Sequence, residues 1–252
     1  MESTRAHTET CLNARASSLP SKKILNPDEG HPYYFLGGAL ALLAALYPIL
    51  SFGQTGLIIW SLTFWVVLVA AIYVTGRRRN VRRLARTLGG LALVAGVIGL
   101  ILGDANDIVT VIVDVLTLVF LLFATGAVLY EVFLTYEVDV DHLIGAAASY
   151  VLLGLTFTYA FMTLQLLSDA SLLASQTGAA VVPDSGPGLA EFLYFSFVTL
   201  TTLGFGDIIP VTPSSRVLTT TEAIVGQLFL AILIARLMGL HIAHASGRFS
   251  KK

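Results

Sequence analysis

The chain has 252 residues, of which 56% are hydrophobic and only 12% are charged, and its formal net charge is −1. Soluble domains carry about twice that share of charged residues, so the composition predicts a membrane protein. A net charge near zero implies no surface for nucleic acid, and the single cysteine, Cys11, excludes an intrachain disulfide and a cysteine-based zinc cluster.

A polar N-terminus precedes a series of apolar stretches. Residues 1–30 lack the apolar run of a signal peptide, and we expect them to form a flexible cytoplasmic tail. Crossing a bilayer takes about 20 apolar residues. Six stretches fit, which predicts an all-α membrane protein with six transmembrane helices. The predicted spans are 33–52, 56–75, 85–103, 108–130, 143–167 and 215–240.

Loop charges orient these spans. The connection between the second and third spans is rich in arginine, whereas the first-to-second and third-to-fourth connections hold no lysine or arginine. Positively charged loops stay in the cytoplasm, so six crossings place both termini there, in a multi-pass protein of the cell membrane. The arginines are Arg77, Arg78, Arg79, Arg82, Arg83 and Arg86.

The connection between the fifth and sixth spans, residues 168–214, is much longer than the others. Its first half is polar, with glycine and proline, and a later part, residues 188–200, is apolar but too short to span. We interpret that part as a re-entrant half-helix. Irregular backbone at membrane depth persists only where protein buries it or where it lines a water-filled cavity. The stretch TLTTLGFGDIIP, residues 199–210, is therefore predicted to turn its carbonyls toward an aqueous path.

Residues 202–207, TLGFGD, resemble the selectivity filter of potassium channels, T-V-G-Y-G-D. In that family, backbone carbonyls from four chains replace the water shell of K+. Gly204 and Gly206 suit this role because glycine reaches positive φ cheaply, and a single filter per chain implies a homotetramer in the lipid bilayer. The resemblance implies that K+ ions in the filter are coordinated by Thr202, Leu203, Gly204 and Phe205, with Gly206 completing the filter.

The same resemblance assigns supporting and cavity residues. We expect Glu222 to hydrogen-bond behind the filter, to Thr219 or to a group of the half-helix, and a direct ion site is the alternative. Gly226 is either a hinge or a packing glycine. Arg236 is expected to reach the cytoplasmic interface. The assigned filter supports are Thr201, Asp207 and Glu222, and the assigned cavity or gate residues are Gly226, Gln227, Leu230 and Ile234.

Several residues depart from the family pattern. Phe205 replaces a common tyrosine, Tyr194 and Phe195 stand where many members have tryptophan, and Val198 stands where some have glutamate. These changes predict a more apolar bracing of the filter. The fourth span holds Asp114 and no basic residue, so we expect weak or absent voltage dependence. The arginine spacing between the second and third spans faintly resembles a sensor, but cytoplasmic anchoring is the simpler interpretation.

The expected organisation has five parts: a tail (1–30), a four-helix domain resembling a voltage sensor without its arginines (31–132), a cytoplasmic linker (133–142), a pore domain (143–240) and a cytoplasmic tail (241–252). The expected function is passive K+ conduction. A nonselective monovalent cation channel and a non-conducting partner subunit remain alternatives. A secondary transporter usually has paired broken helices, and only one broken segment is seen. No set of residues indicates an enzyme.

Overall fold

The computed structural model describes residues 32–48, 54–74, 79–102, 107–134, 140–168, 171–174, 178–181 and 186–249. In these ranges the chain is mostly helical, with one small sheet and the non-helical segment 201–207. The helices are α1 (Pro32–Ala45), α2 (Gln54–Val74), α3 (Arg79–Leu102), α4 (Asp107–Leu134), α5 (Val140–Leu167), α6 (Gly186–Leu200) and α7 (Pro213–Phe249), and the strands are β1 (Leu172–Ala174) and β2 (Ile208–Pro210).

Several of these helices are apolar on all sides, as membrane helices are. In α4, Phe120 and Leu121 are buried against the rest of the chain, whereas Val119 and Leu122 are exposed. By length and composition, three described helical stretches can cross a membrane: Ile108–Phe133, Val140–Leu167 and Pro213–Gly239. The apolar stretches Tyr33–Ala45, Ile58–Val74 and Gly188–Leu200 are shorter. The architecture is therefore that of a helical membrane protein, and the first three predicted spans stay predictions.

Three helix boundaries differ from the sequence prediction by six residues or more, and the first is the end of α1, which lies at Ala45 rather than at residue 52. Helix α3 begins at Arg79 rather than at residue 85, so most of the arginine-rich connection is helical. Arginine, leucine and alanine are good helix formers, which accounts for the earlier start. Helix α7 continues to Phe249, so most of the predicted tail 241–252 is also helical. The predicted N-terminal tail 1–30 and residues 135–139 of the predicted linker lie outside the described residues.

Helix α5 is central to the packing, because it contacts α1, α4, α6 and α7. Small residues on α5 allow close approach, as is common between membrane helices. A Cβ on Gly145 would collide with the ring of Tyr33, and a Cβ on Gly154 would collide with the ring of Phe197. Helix α6 therefore lies against α5 through an aromatic ring that needs a glycine opposite it.

A two-stranded antiparallel sheet closes the region around α6. Leu172 pairs with Pro210, Leu173 with Ile209, and Ala174 with Ile208. The all-α prediction missed this sheet. The sheet joins the segment that precedes α6 to the segment that follows the glycine-containing loop, and so anchors the outgoing end of that loop.

Candidate functional site

The glycine-containing segment 201–207, here called the filter loop, begins where α6 ends at Leu200. Its φ angles are positive at Thr202 (58°), Gly204 (58°) and Gly206 (75°). In an ordinary strand, successive carbonyls point to opposite sides. An alternation of φ between positive and negative values instead turns successive carbonyls toward one side. The backbone of this segment thus has the pattern needed to offer a row of oxygens.

Thr202 is the unexpected member of this alternation. A positive φ costs a non-glycine residue about 1–2 kcal/mol, and β-branching makes it rarer still. Three hydrogen bonds hold the residue. Its amide donates to the Thr199 carbonyl (2.8 Å), its hydroxyl donates to the Thr201 carbonyl (2.7 Å), and Nε2 of Gln227 donates to that hydroxyl (2.9 Å). A side chain of α7 therefore fixes the start of the filter loop.

The other end of the filter loop is held by Tyr194 of α6. Its hydroxyl donates to Oδ2 of Asp207 at 2.7 Å, and Oδ1 of Asp207 accepts from the Ile208 amide at 3.1 Å. The ring of Phe205 lies parallel to that of Tyr194, with an interplanar angle of 3° and centroids 6.4 Å apart. At this position the bracing of the filter loop is polar, because the tyrosine that stands where many members have tryptophan keeps a hydrogen-bond donor.

The inner face of the filter loop rests on the end of α6. The amide of Leu203 donates to the Val198 carbonyl at 2.9 Å, and the hydroxyl of Tyr150 donates to the Leu200 carbonyl at 3.1 Å. A Cβ on Gly226 would collide with that same Leu200 carbonyl. Gly226 thus allows α7 to touch the C-terminal end of α6, and of the two roles expected for it, hinge or packing, this contact supports packing.

Glu222 of α7 is fully buried, with 0% of its surface exposed. Its Oε1 lies 2.6 Å from Oγ of Ser196 on α6, and this Oγ lies 2.8 Å from the Gly154 carbonyl on α5. Thr219 bonds instead to the Ser215 carbonyl of its own helix, at 2.7 Å. Of the two partners expected for Glu222, the group on the half-helix is the one found.

The other predicted cavity residues follow Gln227 along one side of α7. Leu230 and Ile234 are both exposed in the single chain, and they contribute no hydrogen-bonding side chain. Arg236 was expected to extend to the membrane interface. Its Nη1 donates to the carbonyl of Val132 in α4, and its guanidinium lies over the ring of Phe133, 5.9 Å from the centroid. This residue links the end of α4 to α7.

The oxygens of the filter loop are its backbone carbonyls, the hydroxyls of Thr201 and Thr202, and the carboxylate of Asp207, which is held by Tyr194 and the Ile208 amide. In the part of the chain that the structure describes, no group of three or more His, Cys, Asp or Glu side chains is arranged to hold a metal ion. A row of neutral carbonyl oxygens suits a monovalent cation that gives up its water, because each dipole replaces one water ligand without fixing the ion permanently.

Residues 151–240 match the family model described as ion channel. This region contains most of α5, the whole of α6, the filter loop and most of α7. The filter loop and its supports thus lie within a region related to ion channels, and the comparison points to a channel rather than an enzyme.

Two relatives add to this result. Two pore potassium channel c of Oryza sativa subsp. japonica is 33% identical over 87 residues, which is 34% of this chain and 18% of that protein. An uncharacterized protein of Methanothermus fervidus is 34% identical over 53 residues, 21% of this chain and 8% of that protein. The chain therefore covers less than a fifth of either relative. No solved structure matches it significantly.

Proposed function

We propose that the protein is a potassium-selective channel that conducts K+ passively through a pore formed by four identical chains. The observation that carries this proposal is the alternation of positive φ at Thr202, Gly204 and Gly206. The carbonyls of residues 202–205 would coordinate K+ in place of water. The Thr202 hydroxyl would add a further oxygen at the inner end.

The surface of the filter loop supports assembly. In the single chain Leu203 and Phe205 are 59% and 64% exposed, although both are apolar. Neighbouring chains around a central axis would cover these side chains and would bring the four rows of carbonyls together. One filter loop per chain then requires four chains, and the oligomer is a homotetramer.

The remaining elements fit around this pore. Helices α5 and α7 flank α6, whose C-terminal end points its partial negative charge toward the ion path. Gly226, Gln227, Leu230 and Ile234 would line the inner cavity below the filter loop. Residues 31–132 would form a four-helix domain and residues 143–240 the pore domain, with both termini in the cytoplasm of a cell-membrane protein.

The proposal is tested by K+ flux from liposomes that contain only the purified protein. We expect flux from the wild type and its loss in Gly204→Ala, because a Cβ at φ 58° strains the filter loop. Gly126→Ala is the matched control, since Gly126 lies in α4 with no atom within 4 Å of the added Cβ, and it should conduct normally.

Selectivity is measured from reversal potentials in mixed K+ and Na+. A strong preference for K+ is expected. Equal permeability would identify a nonselective cation channel instead. Absence of flux from the pure protein, with flux restored by a second channel subunit, would identify a partner subunit and contradict the proposal.

A further inference from the structure

The hydrogen-bond geometry behind the filter loop assigns a protonation state to Glu222. The side chain is fully buried, and its Oε1 contacts Oγ of Ser196 at 2.6 Å. Its second oxygen, Oε2, has no hydrogen-bond partner among the described residues, and no cationic side chain of those residues pairs with it. An ionised carboxylate in such a place carries a large desolvation cost with little compensation.

The number of protons shared by the oxygens of Glu222, Ser196 and Gly154 decides whether Glu222 is ionised or neutral. Oγ of Ser196 lies between Oε1 of Glu222 (2.6 Å) and the carbonyl oxygen of Gly154 (2.8 Å). A serine hydroxyl carries one proton, and a carbonyl oxygen carries none. If Glu222 were ionised, only one of the two short contacts would contain a proton. The other contact would bring two oxygen lone pairs close together without a proton between them, which is repulsive.

We propose that Glu222 is a neutral carboxylic acid and donates its proton to Ser196, which in turn donates to the Gly154 carbonyl. Both short contacts are then true hydrogen bonds. The Gly154 carbonyl also accepts from the Thr158 hydroxyl at 2.9 Å, which is consistent with its acting only as an acceptor. The chain of bonds joins α7 to α6 and α6 to α5.

This chain makes Glu222 a positioning residue for the filter loop, an assignment that rests on the proposed function. Ser196 lies four residues before the end of α6, from which the filter loop departs. Gly154 is also the point where α5 accommodates the ring of Phe197. The donated proton thus fixes α6 against both neighbouring helices. Glu222 acts on conduction through α6 and carries no charge toward the ion.

The protonation state is tested first, by infrared difference spectroscopy of the purified full-length protein at neutral pH. Subtracting the spectrum of Glu222→Gln from that of the wild type should leave the C=O stretch of a protonated carboxyl, which shifts in D2O. A difference spectrum that contains only carboxylate bands would overturn the proposal. This measurement needs no ion conduction, so it is separate from the test of the proposed function.

The positioning role is tested by K+ flux. Glu222→Gln keeps a donor of the same length and should conduct at close to the wild-type rate. Glu222→Met has the same length without a donor, and Ser196→Ala removes the middle of the chain, so each should lower flux by roughly tenfold or more, as expected for the loss of a buried hydrogen bond. Thr219→Val is the control on α7, because its hydroxyl bonds only within the helix. Equal losses in Glu222→Gln and Glu222→Met would refute the positioning role, even if Met fails to fold.

Discussion

Gln227 of α7 donates a hydrogen bond from Nε2 to the hydroxyl of Thr202, at 2.9 Å, across 25 positions of the chain. The residue that accepts it has a positive φ that threonine rarely adopts. The inner helix of the proposed pore therefore holds Thr202 of the filter loop directly, in addition to lining the cavity below it.

Removing this bond should change ion selectivity. In Gln227→Met the side chain keeps its length and loses its donor, so the Thr202 hydroxyl keeps only its bond to the Thr201 carbonyl and the innermost oxygens are less well fixed. We expect a lower preference for K+ over Na+, measured from reversal potentials. In a double-mutant cycle with Thr202→Val, the two changes should be coupled by about 1 kcal/mol, the usual net value of one hydrogen bond. Strictly additive effects would show that the contact has no role.

Tyr194→Phe should shorten the time for which the channel conducts. The change removes the hydroxyl that holds Asp207 at 2.7 Å and leaves the parallel ring contact with Phe205 in place. Because the outer end of the filter loop then loses its tie to α6, we expect currents to decay faster during sustained activity. Tyr73→Phe is the control, because Tyr73 is 72% exposed on α2. Currents in Tyr194→Phe as persistent as those of the wild type would contradict the prediction.

Gly226→Ala should destabilise the protein, because the added Cβ meets the Leu200 carbonyl and overpacking usually costs about 1–3 kcal/mol. The midpoint of thermal unfolding in detergent measures this. Gly239→Ala in the same helix meets no atom within 4 Å, and should leave the midpoint unchanged or raise it, since alanine favours helix over glycine. If Gly226→Ala alters opening with an unchanged midpoint, the residue acts as a hinge.

Conductance should depend only weakly on voltage. Moving one charge across the membrane field is worth about 2.3 kcal/mol per 100 mV, and α4 contains no lysine or arginine. Currents recorded over a wide voltage range should therefore change gradually. The variant Arg83→Gln with Arg86→Gln tests the alternative that the arginines of α3 sense voltage, and it should leave the curve unaltered. A steep activation curve that these substitutions flatten would reverse this interpretation.

Much of the helical framework could be predicted from the sequence, because long apolar runs carry the information locally. The end of α6 at Leu200 coincides with the prediction, and its start at Gly186 differs by two residues. The β1–β2 sheet could not be predicted in this way. Its strands have three residues each and lie far apart in the chain, so their pairing depends on where α5 and α6 place them.

Only some of the contacts that hold the filter loop could be predicted from the sequence. The positive φ angles of Gly204 and Gly206 follow from residue type, whereas that of Thr202 runs against it and depends on Gln227. Tyr194 could have been recognised as a donor, since tyrosine, like the tryptophan it replaces, carries a polar hydrogen at the end of an aromatic ring. The Ser196–Glu222 contact depends on the approach of α6 to α7, which no local pattern specifies.

Helix α7 has 37 residues, which at about 1.5 Å per residue makes it roughly 55 Å long. The hydrocarbon core of a bilayer is about 30 Å thick, so a continuous helix of this length would extend well beyond that core. A force applied to the far end of α7 would therefore be transmitted along the helix to the contact between Gln227 and Thr202. A ligand bound at the far end of α7 would therefore act on Thr202 through α7 alone.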